Sequence, residues 1–537
     1  MLFCDRLLAF GAQREACNFP YLASSLSWTL SLFSQLLLVS FGIYNMASYW
    51  FKLSLVVLTL CIVHVNARPS LGPTLSWGDN SNGLLLTGDS SMQQIPVIMA
   101  NSSFGGYNLW SISAGQSHGA AANEIGELFT WGSNIYGQLG NHSISATFSW
   151  SPISVSAIGT ASGGESIVQV ACSQNSVLAR AASGFLWSWG SNFRGILGNG
   201  TAVSVSSFTD IPVWTVVGTA HGNPTWIGCG QVFCGTLTDL NVLLTWGSNE
   251  NGQLGYYSGS FTYVTIPAPV NVTGLGVRHF TTVSFGGKHA LALTNDSRVM
   301  AWGDNSDSQL GVLGLLSYVY WPVFVNFSAA SGDFVIQVSA GSAHSLLLTN
   351  AGLIYGWGLC QFYQLMDAPA FTNQQLPWAL PLSYFWGKVT SITAYTDSSF
   401  ATSDHGRFYG WGYAASYILG SNTTNNSYGP LKVNMTAVPS PDDLVYSFPS
   451  SGFATTAFAV TVPTTLPPFI LAPSASPASG AEPPPFAGQW PPTPLAPSFY
   501  GGIPAHTSDA QGLALPQSAQ TVILLSSLAT LTVFGTW

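Results

Sequence analysis

Three histidines stand behind the same kind of small-residue turn: His118 in I-S-A-G-Q-S-H, His289 in V-S-F-G-G-K-H and His344 in V-S-A-G-S-A-H. Imidazole titrates near neutrality and serves as general base or metal ligand, so these residues come first in a search for chemistry. Their recurrence argues the other way. A histidine returned to one slot of several similar stretches reads as a packing and hydrogen-bonding element of the stretch, not as a single catalytic group. Asp304 and Asp307 offer a pair of carboxylates of the kind glycoside hydrolysis uses. They follow a Trp-Gly pair where other copies carry Ser or Asn, and all three residue types bond nearby backbone in turns. Turn chemistry is the reading. Gly286-Gly287-Lys288 lacks the rest of a phosphate-binding loop. No Gly-x-Ser-x-Gly elbow falls between a strand and a helix. Cys229 and Cys234 have no companion His/Cys pair to complete a zinc site. No catalysis, cofactor or metal is expected.

Nucleic acid is a poor partner. Only 6% of residues are charged, and 12 Lys/Arg against 21 Asp/Glu leave a net charge of −9. That balance repels phosphates, and no basic stripe offsets it.

The elements that carry these residues are legible from a repeat. Seven Trp-Gly pairs begin at Trp77, Trp131, Trp189, Trp246, Trp302, Trp357 and Trp411, at gaps of 54 to 58 residues. The clearest copies read W-G-S-N-I-Y-G-Q-L-G from Trp131, W-G-S-N-F-R-G-I-L-G from Trp189 and W-G-S-N-E-N-G-Q-L-G from Trp246. The copies from Trp357 and Trp411 are eroded. Upstream of every copy but the first lies a strand, a small-residue turn and a second strand. Short apolar runs bounded by Gly, Asn, Asp and Ser are strand punctuation, and no 3.6-residue apolar period is sustained between Leu75 and Thr461. A unit of this length cannot bury its apolar face alone, so copies must pack side by side. The fold class is all-β, with radial blades about an axis.

These phrases resemble the regulator-of-chromosome-condensation (RCC1-like) repeat family, whose members form seven-bladed β-propellers. The resemblance covers Leu75 to Thr461, nearly three quarters of the chain. Its founding member is a nuclear exchange factor for a small GTPase and binds chromatin. Guanine nucleotide exchange is therefore one function the resemblance implies, but fold does not carry function with it. No GTPase-contacting segment, nuclear-localisation run or basic arm can be placed on residues of this chain. The pattern also predicts how the ring closes. Trp77 has no upstream strand pair of its own, and the last pair, Leu444 to Phe448 and Phe453 to Thr461, has no Trp-Gly after it. The N- and C-terminal strands should share the first blade, removing open edges.

The ends read as export signals. Residues 46–67 have the design of a signal peptide, with Lys52, an apolar run from Leu53 to Val63 and Val65-Asn66-Ala67 at the cleavage site. Residues 1–45 would then be a gene-model extension. A signal anchor is the alternative, since Leu22 to Ile43 is also apolar. The propeller is expected over 68–461. Residues 462–510 form a Pro-rich stalk, with thirteen prolines before Ala505. Residues 511–537 carry a polar spacer and an apolar tail shorter than a spanning helix needs, the design of a glycosylphosphatidylinositol signal. Ser508 is the candidate attachment residue, with Asp509 and Ala510 beside it; a spanning tail is the alternative. Nine sequons accompany this reading: Asn101, Asn141, Asn199, Asn271, Asn295, Asn326, Asn422, Asn425 and Asn434. Past residue 67 four cysteines remain. Cys172 and Cys229 occupy matching places on adjacent repeats and could bridge blades. Cys229 and Cys234 could pair locally, or Cys172, Cys229, Cys234 and Cys360 could be buried thiols.

The function this supports is a cell-surface or secreted propeller, glycosylated and lipid-anchored, that binds a protein or a glycan. Exchange activity and an extracellular carbohydrate-active enzyme are the alternatives. The longer segments Tyr256 to Phe280, Val312 to Phe334 and Met366 to Phe385 are candidate contact loops. The aromatics Trp378, Tyr384, Phe385 and Trp386 are read as packing between blades, with partner anchoring as the other role.

Overall fold

The computed structural model describes residues within 72–463, excepting 142–147, 156–165, 202–210, 213–220, 260–261, 278, 367–372, 437, 439–443 and 448–455. Segments 1–45, 46–67 and 511–537, almost all of the stalk, and Ser508 lie outside the described residues.

Seven four-stranded antiparallel sheets account for nearly all of the structure. Blades are numbered here by their Trp-Gly pair, from Trp77 in blade 1 to Trp411 in blade 7. Blade 5 shows the plan. Phe280–Phe285 pairs with His289–Thr294, which pairs with Val299–Asp304, which pairs with Tyr318–Phe324. The first strands of neighbouring blades pack on one another, while the fourth strands are the most exposed. First strands therefore lie at the axis and fourth strands at the rim.

Blade 1 is assembled from both ends of the described chain. Its order is Gln93–Ile98, Thr74–Gly78, Thr456–Pro463, Leu444–Ser447. Register runs from Thr74 opposite Val460 to Gly78 opposite Thr456. The shared first blade expected from the sequence is present.

The core consists of wedges between neighbouring sheets, each containing one repeat tryptophan. All seven are fully buried. Burying each contributes about 4–6 kcal/mol gross at ~25 cal/mol per Å². Each indole Nε1–H also donates to a carbonyl of the preceding blade: Trp131 to Leu84 at 2.9 Å, Trp189 to Gln138 at 3.0 Å, Trp246 to Ile196 at 2.8 Å, Trp302 to Gln253 at 3.0 Å. Trp357 to Gln309 at 2.8 Å, Trp411 to Gln364 at 3.0 Å and Trp77 to Ile418 at 2.7 Å complete the circle.

The rest of the phrase has local causes. Every glycine after a repeat tryptophan has φ between 90° and 104°. At Gly303 a Cβ would lie 2.5 Å from the Lys288 carbonyl, so only glycine fits. The asparagine three positions after Trp folds the loop on itself. Asn249 Oδ1 accepts from Leu254 N at 3.1 Å while its Nδ2 donates to Tyr256 O at 2.9 Å. The residue before Trp locks the same loop, as Thr245 Oγ1 does to Leu254 O at 2.6 Å. In the eroded copies Cys360 and Ala414 take the asparagine slot; Cys360 still meets the Leu365 backbone. The serine of the V-S-A-G phrase serves the neighbouring blade. Ser113, Ser284 and Ser339 accept from the backbone N–H of Cys172, Ala340 and Ala394.

Candidate functional site

Each histidine slot pairs with the Trp-Gly glycine at the mouth end of its blade, as His289 does with Gly303. The turns before these slots and the Trp-Gly loops therefore share one end of the propeller, the turn face. The hairpins joining second and third strands lie at the other end.

All three histidines are buried inside this end. His289 Nε2 lies 3.0 Å from Ser345 Oγ, and His344 Nε2 lies 3.0 Å from Ser399 Oγ. Both serines donate to carbonyls, Gln309 O at 2.8 Å and Gln364 O at 2.9 Å. The hydroxyl proton is thereby spent, so the imidazole must donate from Nε2 and stay neutral. Burial pushes the pKa of His289 and His344 down to about 3. The carbonyls on Gln309 and Gln364 are those that accept from Trp357 and Trp411, so histidine, serine and tryptophan form one relay between blades. Val177 stands in the serine position opposite His118, whose two ring nitrogens are buried without a hydrogen-bond partner among the described residues, and burial pushes its pKa down to about 4. The same slot holds Ser176, Phe233 and Ser398 in blades 3, 4 and 7. A slot that accepts phenylalanine asks for filling, and histidine and serine add a bond.

Asp304 binds its own loop, accepting from Ser306 Oγ at 3.0 Å and Gln309 Nε2 at 3.0 Å. It also accepts from Asn251 of blade 4 at 3.3 Å. Asp307 accepts from Asn373 at 2.9 Å. Arg194 of blade 3 reaches Glu250 and Ser248 of blade 4. These groups are spent on joining blades.

At the axis the turns bond to one another through their backbones. Gln116 N donates to Gln174 O at 2.9 Å, Gln174 N to Gln231 O at 3.2 Å and Gln231 N to Gly287 O at 3.3 Å. Gly287 N to Gly341 O at 3.0 Å and Ser342 N to Thr396 O at 2.7 Å continue the series. Beside this ring, blades 2, 3 and 4 flank a half-open cavity of about 330 Å³, at the low end of ligand-pocket size. Its walls come from Tyr136, the Ser173–Ser176 turn, the Ser191 to Ile196 loop, Gln231 and Val232. The sequence reading did not single these residues out; their signal was a glutamine shared by three consecutive turns, Gln116, Gln174 and Gln231, followed by a varying residue, Ser117, Asn175 or Val232.

Two aromatic groups flank the face and the rim. Tyr257 of blade 4 packs edge-on against Tyr320 of blade 5 at 5.2 Å, and Tyr320 against Tyr318 at 5.4 Å. Tyr318 is paired with Asp304, which places the group at the turn-face end. At the opposite end Trp386 stacks on His405 at 5.5 Å, and the Arg407 guanidinium lies 3.4 Å from its ring centre. Of the four aromatics read as packing between blades, Phe385 does so, against Tyr409 and Trp411. Trp378, Tyr384 and Trp386 are exposed instead, because the first stands on a rim strand and the others on a surface loop.

The cysteines resolve as one local bridge. Cys229 and Cys234 form a disulfide across the first hairpin of blade 4. Cys172, offered above as a bridge to blade 4, is a free buried thiol, as is Cys360. Cys172 lies 3.4 Å from Ser113 O, and burial pushes its pKa up to about 12. Among the described residues no cluster of three His, Cys, Asp or Glu could hold a metal ion. Of the sequons, Asn271, Asn295, Asn326, Asn422 and Asn425 are exposed, and Asn101, Asn141, Asn199 and Asn434 are half-buried.

Residues 73–448 match the family model described as the RCC1-like domain. The chain is 32% identical over 285 residues to the human E3 ubiquitin-protein ligase HERC2, covering 53% of this chain and 6% of that protein. It is 27% identical over 297 residues to the ultraviolet-B receptor UVR8 of Arabidopsis thaliana, covering 54% of this chain and 62% of the receptor. The chain thus spans less than two thirds of the length of these relatives. Among solved structures it is similar to Prp20p from Saccharomyces cerevisiae, with TM-score 0.63 and 21% identity over 74% of this chain and 92% of that one. Human WBSCR16 gives TM-score 0.62 at 19% identity, over 73% and 98%.

Proposed function

The chain belongs to the RCC1-like domain family, and on that premise we propose that it is a non-catalytic binding module, exported and held at the cell surface, which offers its turn face to a partner. The observation that carries the reading is the group Tyr257, Tyr318 and Tyr320. These rings sit on two neighbouring blades of a closed ring, are partly exposed, and spend their contacts on one another. Rigid, amphipathic aromatics of this kind are what partner anchors are made of. A protein partner agrees with the family: yeast Prp20 has been solved bound to Kap60, and its structure has been described together with its binding to Gsp1p and histones. A glycan is the other partner class. Export is supported by the signal-like segment 46–67, by the nine sequons and by a disulfide, which persists in oxidising compartments.

The test begins with an epitope tag inserted after Ser70 and staining of intact cells before and after phosphatidylinositol-specific phospholipase C. Surface signal released by the enzyme supports export and lipid anchoring. Signal found only inside permeabilised cells overturns the export reading and favours nucleotide exchange. Surface cross-linking then compares the native chain with Tyr257→Ala/Tyr320→Ala. A partner lost from the variant, with unchanged melting temperature, supports the tyrosine surface; capture that is absent from the native chain overturns it.

A further inference from the structure

We infer that the cavity shared by blades 2, 3 and 4 is a binding site for a neutral saccharide, an inference that rests on reading the propeller as a binding module. The first argument is charge. None of the lining residues is ionised at neutral pH, and the nearest cation of the blade 3 loop, Arg194, is engaged by Glu250 and Ser248. The Arg194 guanidinium also lies over one face of the Phe193 ring, 4.9 Å from its centre, so its charge is met by Glu250 and that ring, and a phosphate or carboxylate ligand would find no unpaired counter-charge.

The second argument is unspent hydrogen-bonding capacity. Asn175 and Gln231 are half-buried, yet their side-chain amides make no hydrogen bond among the described residues. Gln174 uses its Nε2 on Gln116 Oε1 at 2.9 Å and keeps its own Oε1 for a ligand. An amide offers both donors and an acceptor, which is what a sugar hydroxyl needs, since a hydroxyl also does both. A purely apolar ligand would strand these amides without water. The serines are wall and not ligand groups: Ser176 Oγ donates to Ser191 O at 2.6 Å.

The third argument is the pair of rings. Tyr136 is 42% exposed and Phe193 is 51% exposed, and both line the cavity. The axial C–H face of a pyranose is apolar and lies flat against such rings, while its equatorial hydroxyls reach sideways to amides. The fourth is rigidity. Gln174 and Gln231 are joined through their backbones, and the Cys229–Cys234 bridge clamps the turn that carries Gln231. Little ordering entropy is then lost on binding.

Calorimetric titration of the full chain tests this, with tetramers of β-linked glucose, of N-acetylglucosamine and of mannose as neutral probes and a galacturonate tetramer as the charged one. At least one neutral probe is expected to bind. Phe193→Ala and Gln231→Ala should each weaken it about tenfold, as loss of one ring face or one amide implies. Gln231→Glu and Asn175→Asp keep the shape and should weaken it as well, without moving the melting temperature. No binding by any neutral probe overturns the inference. So does binding by the galacturonate alone, or binding unchanged in both Phe193→Ala and Gln231→Glu. If saccharides fail while tyrosine-dependent capture at the surface persists, the inference falls and the binding-module reading stands. If both fail, both fall.

Discussion

Trp77 donates its indole N–H to the carbonyl of Ile418, 341 positions further along the chain, at 2.7 Å. Six other tryptophans make the same bond to the blade before them across some 50 positions. Only at Trp77 does it tie the two ends of the described chain together, beside the pairing of Thr74–Gly78 with Thr456–Pro463. Trp77→Phe should therefore lower stability by about 1–3 kcal/mol, the cost of a lost buried bond plus lost volume. Deleting residues 456–463 should cost far more, because it exposes both strand edges of blade 1. Urea unfolding gives the first number. Size-exclusion chromatography reads the second as aggregate; a monomeric, cooperatively folded deletion would refute the role of the clasp.

Much of this was legible in advance, and for a physical reason. Trp-Gly pairs mark buried wedges and a positive-φ glycine, and both constraints repeat with the blade. The closure was legible because Trp77 lacked an upstream strand pair and Leu444 to Thr461 lacked a Trp-Gly. The cavity was not. Asn175 and Gln231 lie 56 positions apart and meet only because consecutive turns bond across the ring. Nor could spacing separate Phe385 from Trp386: adjacent in sequence, one faces Trp411 and the other the solvent.

The eroded sixth repeat makes a gain of stability available. Cys360 occupies the slot where Asn249 holds the Leu254 N–H and the Tyr256 carbonyl. A thiol is a weak acceptor and cannot do both. Cys360→Asn should raise the unfolding free energy by about 0.5–1.5 kcal/mol, one net hydrogen bond. Asn249→Ala should lower it by about 1–3 kcal/mol, since the buried Leu254 N–H is left without an acceptor. Paired denaturation curves decide it. An unchanged or lowered midpoint in Cys360→Asn would mean that the local backbone no longer fits asparagine.

Acid should weaken the ring before it protonates the histidines. His289 and His344 titrate near 3 in the fold and His118 near 4, all driven down by burial, against about 6.5 in an unfolded chain. Between those values the unfolded state binds more protons, so stability falls as pH falls through 6.5. Each histidine should remove about 2 kcal/mol between pH 7 and pH 5. Asp397, raised by burial and by Asp307, acts with the opposite sign at lower pH. Denaturation midpoints from pH 7.5 to 5 check the slope, which should drop by about a third in His344→Gln.

Thiol chemistry should separate the four cysteines that lie past residue 67. Cys172 and Cys360 are buried, with pKa values driven up by desolvation. Native protein should therefore resist maleimide at both, and unfolding without reductant should expose them while Cys229 and Cys234 stay blocked. The Cys229–Cys234 bridge closes a short loop, so Cys229→Ala/Cys234→Ala should cost about 2 kcal/mol by loop-closure entropy. Mass spectrometry of labelled peptides reads the pattern. A label on Cys229 before reduction would show that the bridge does not form.

Glycan occupancy should follow exposure. Asn271, Asn295, Asn326, Asn422 and Asn425 are exposed, whereas Asn101 donates through Nδ2 to Asn108 at 2.7 Å and is half-buried. Asn141 and Asn199 receive the Nδ2 of Asn134 and Asn192 inside the Trp-Gly loops, at 3.2 and 3.4 Å. A glycan on Asn141 or Asn199 would press on a loop that holds the next blade's tryptophan, and one on Asn101 would press on the turn whose Phe104 packs against Trp131, whereas one on the exposed group would stand in solvent. Glycopeptide analysis of the chain from its native cells should find sugar on the exposed group and unmodified Asn101. Blocking the exposed sites by Asn→Gln should leave the melting temperature nearly unchanged but lower solubility, because with 6% charged residues the surface has little else to keep copies apart. Heavy occupancy at Asn101 with an intact fold would show that the half-buried sequons tolerate sugar, and the exposure rule would fail.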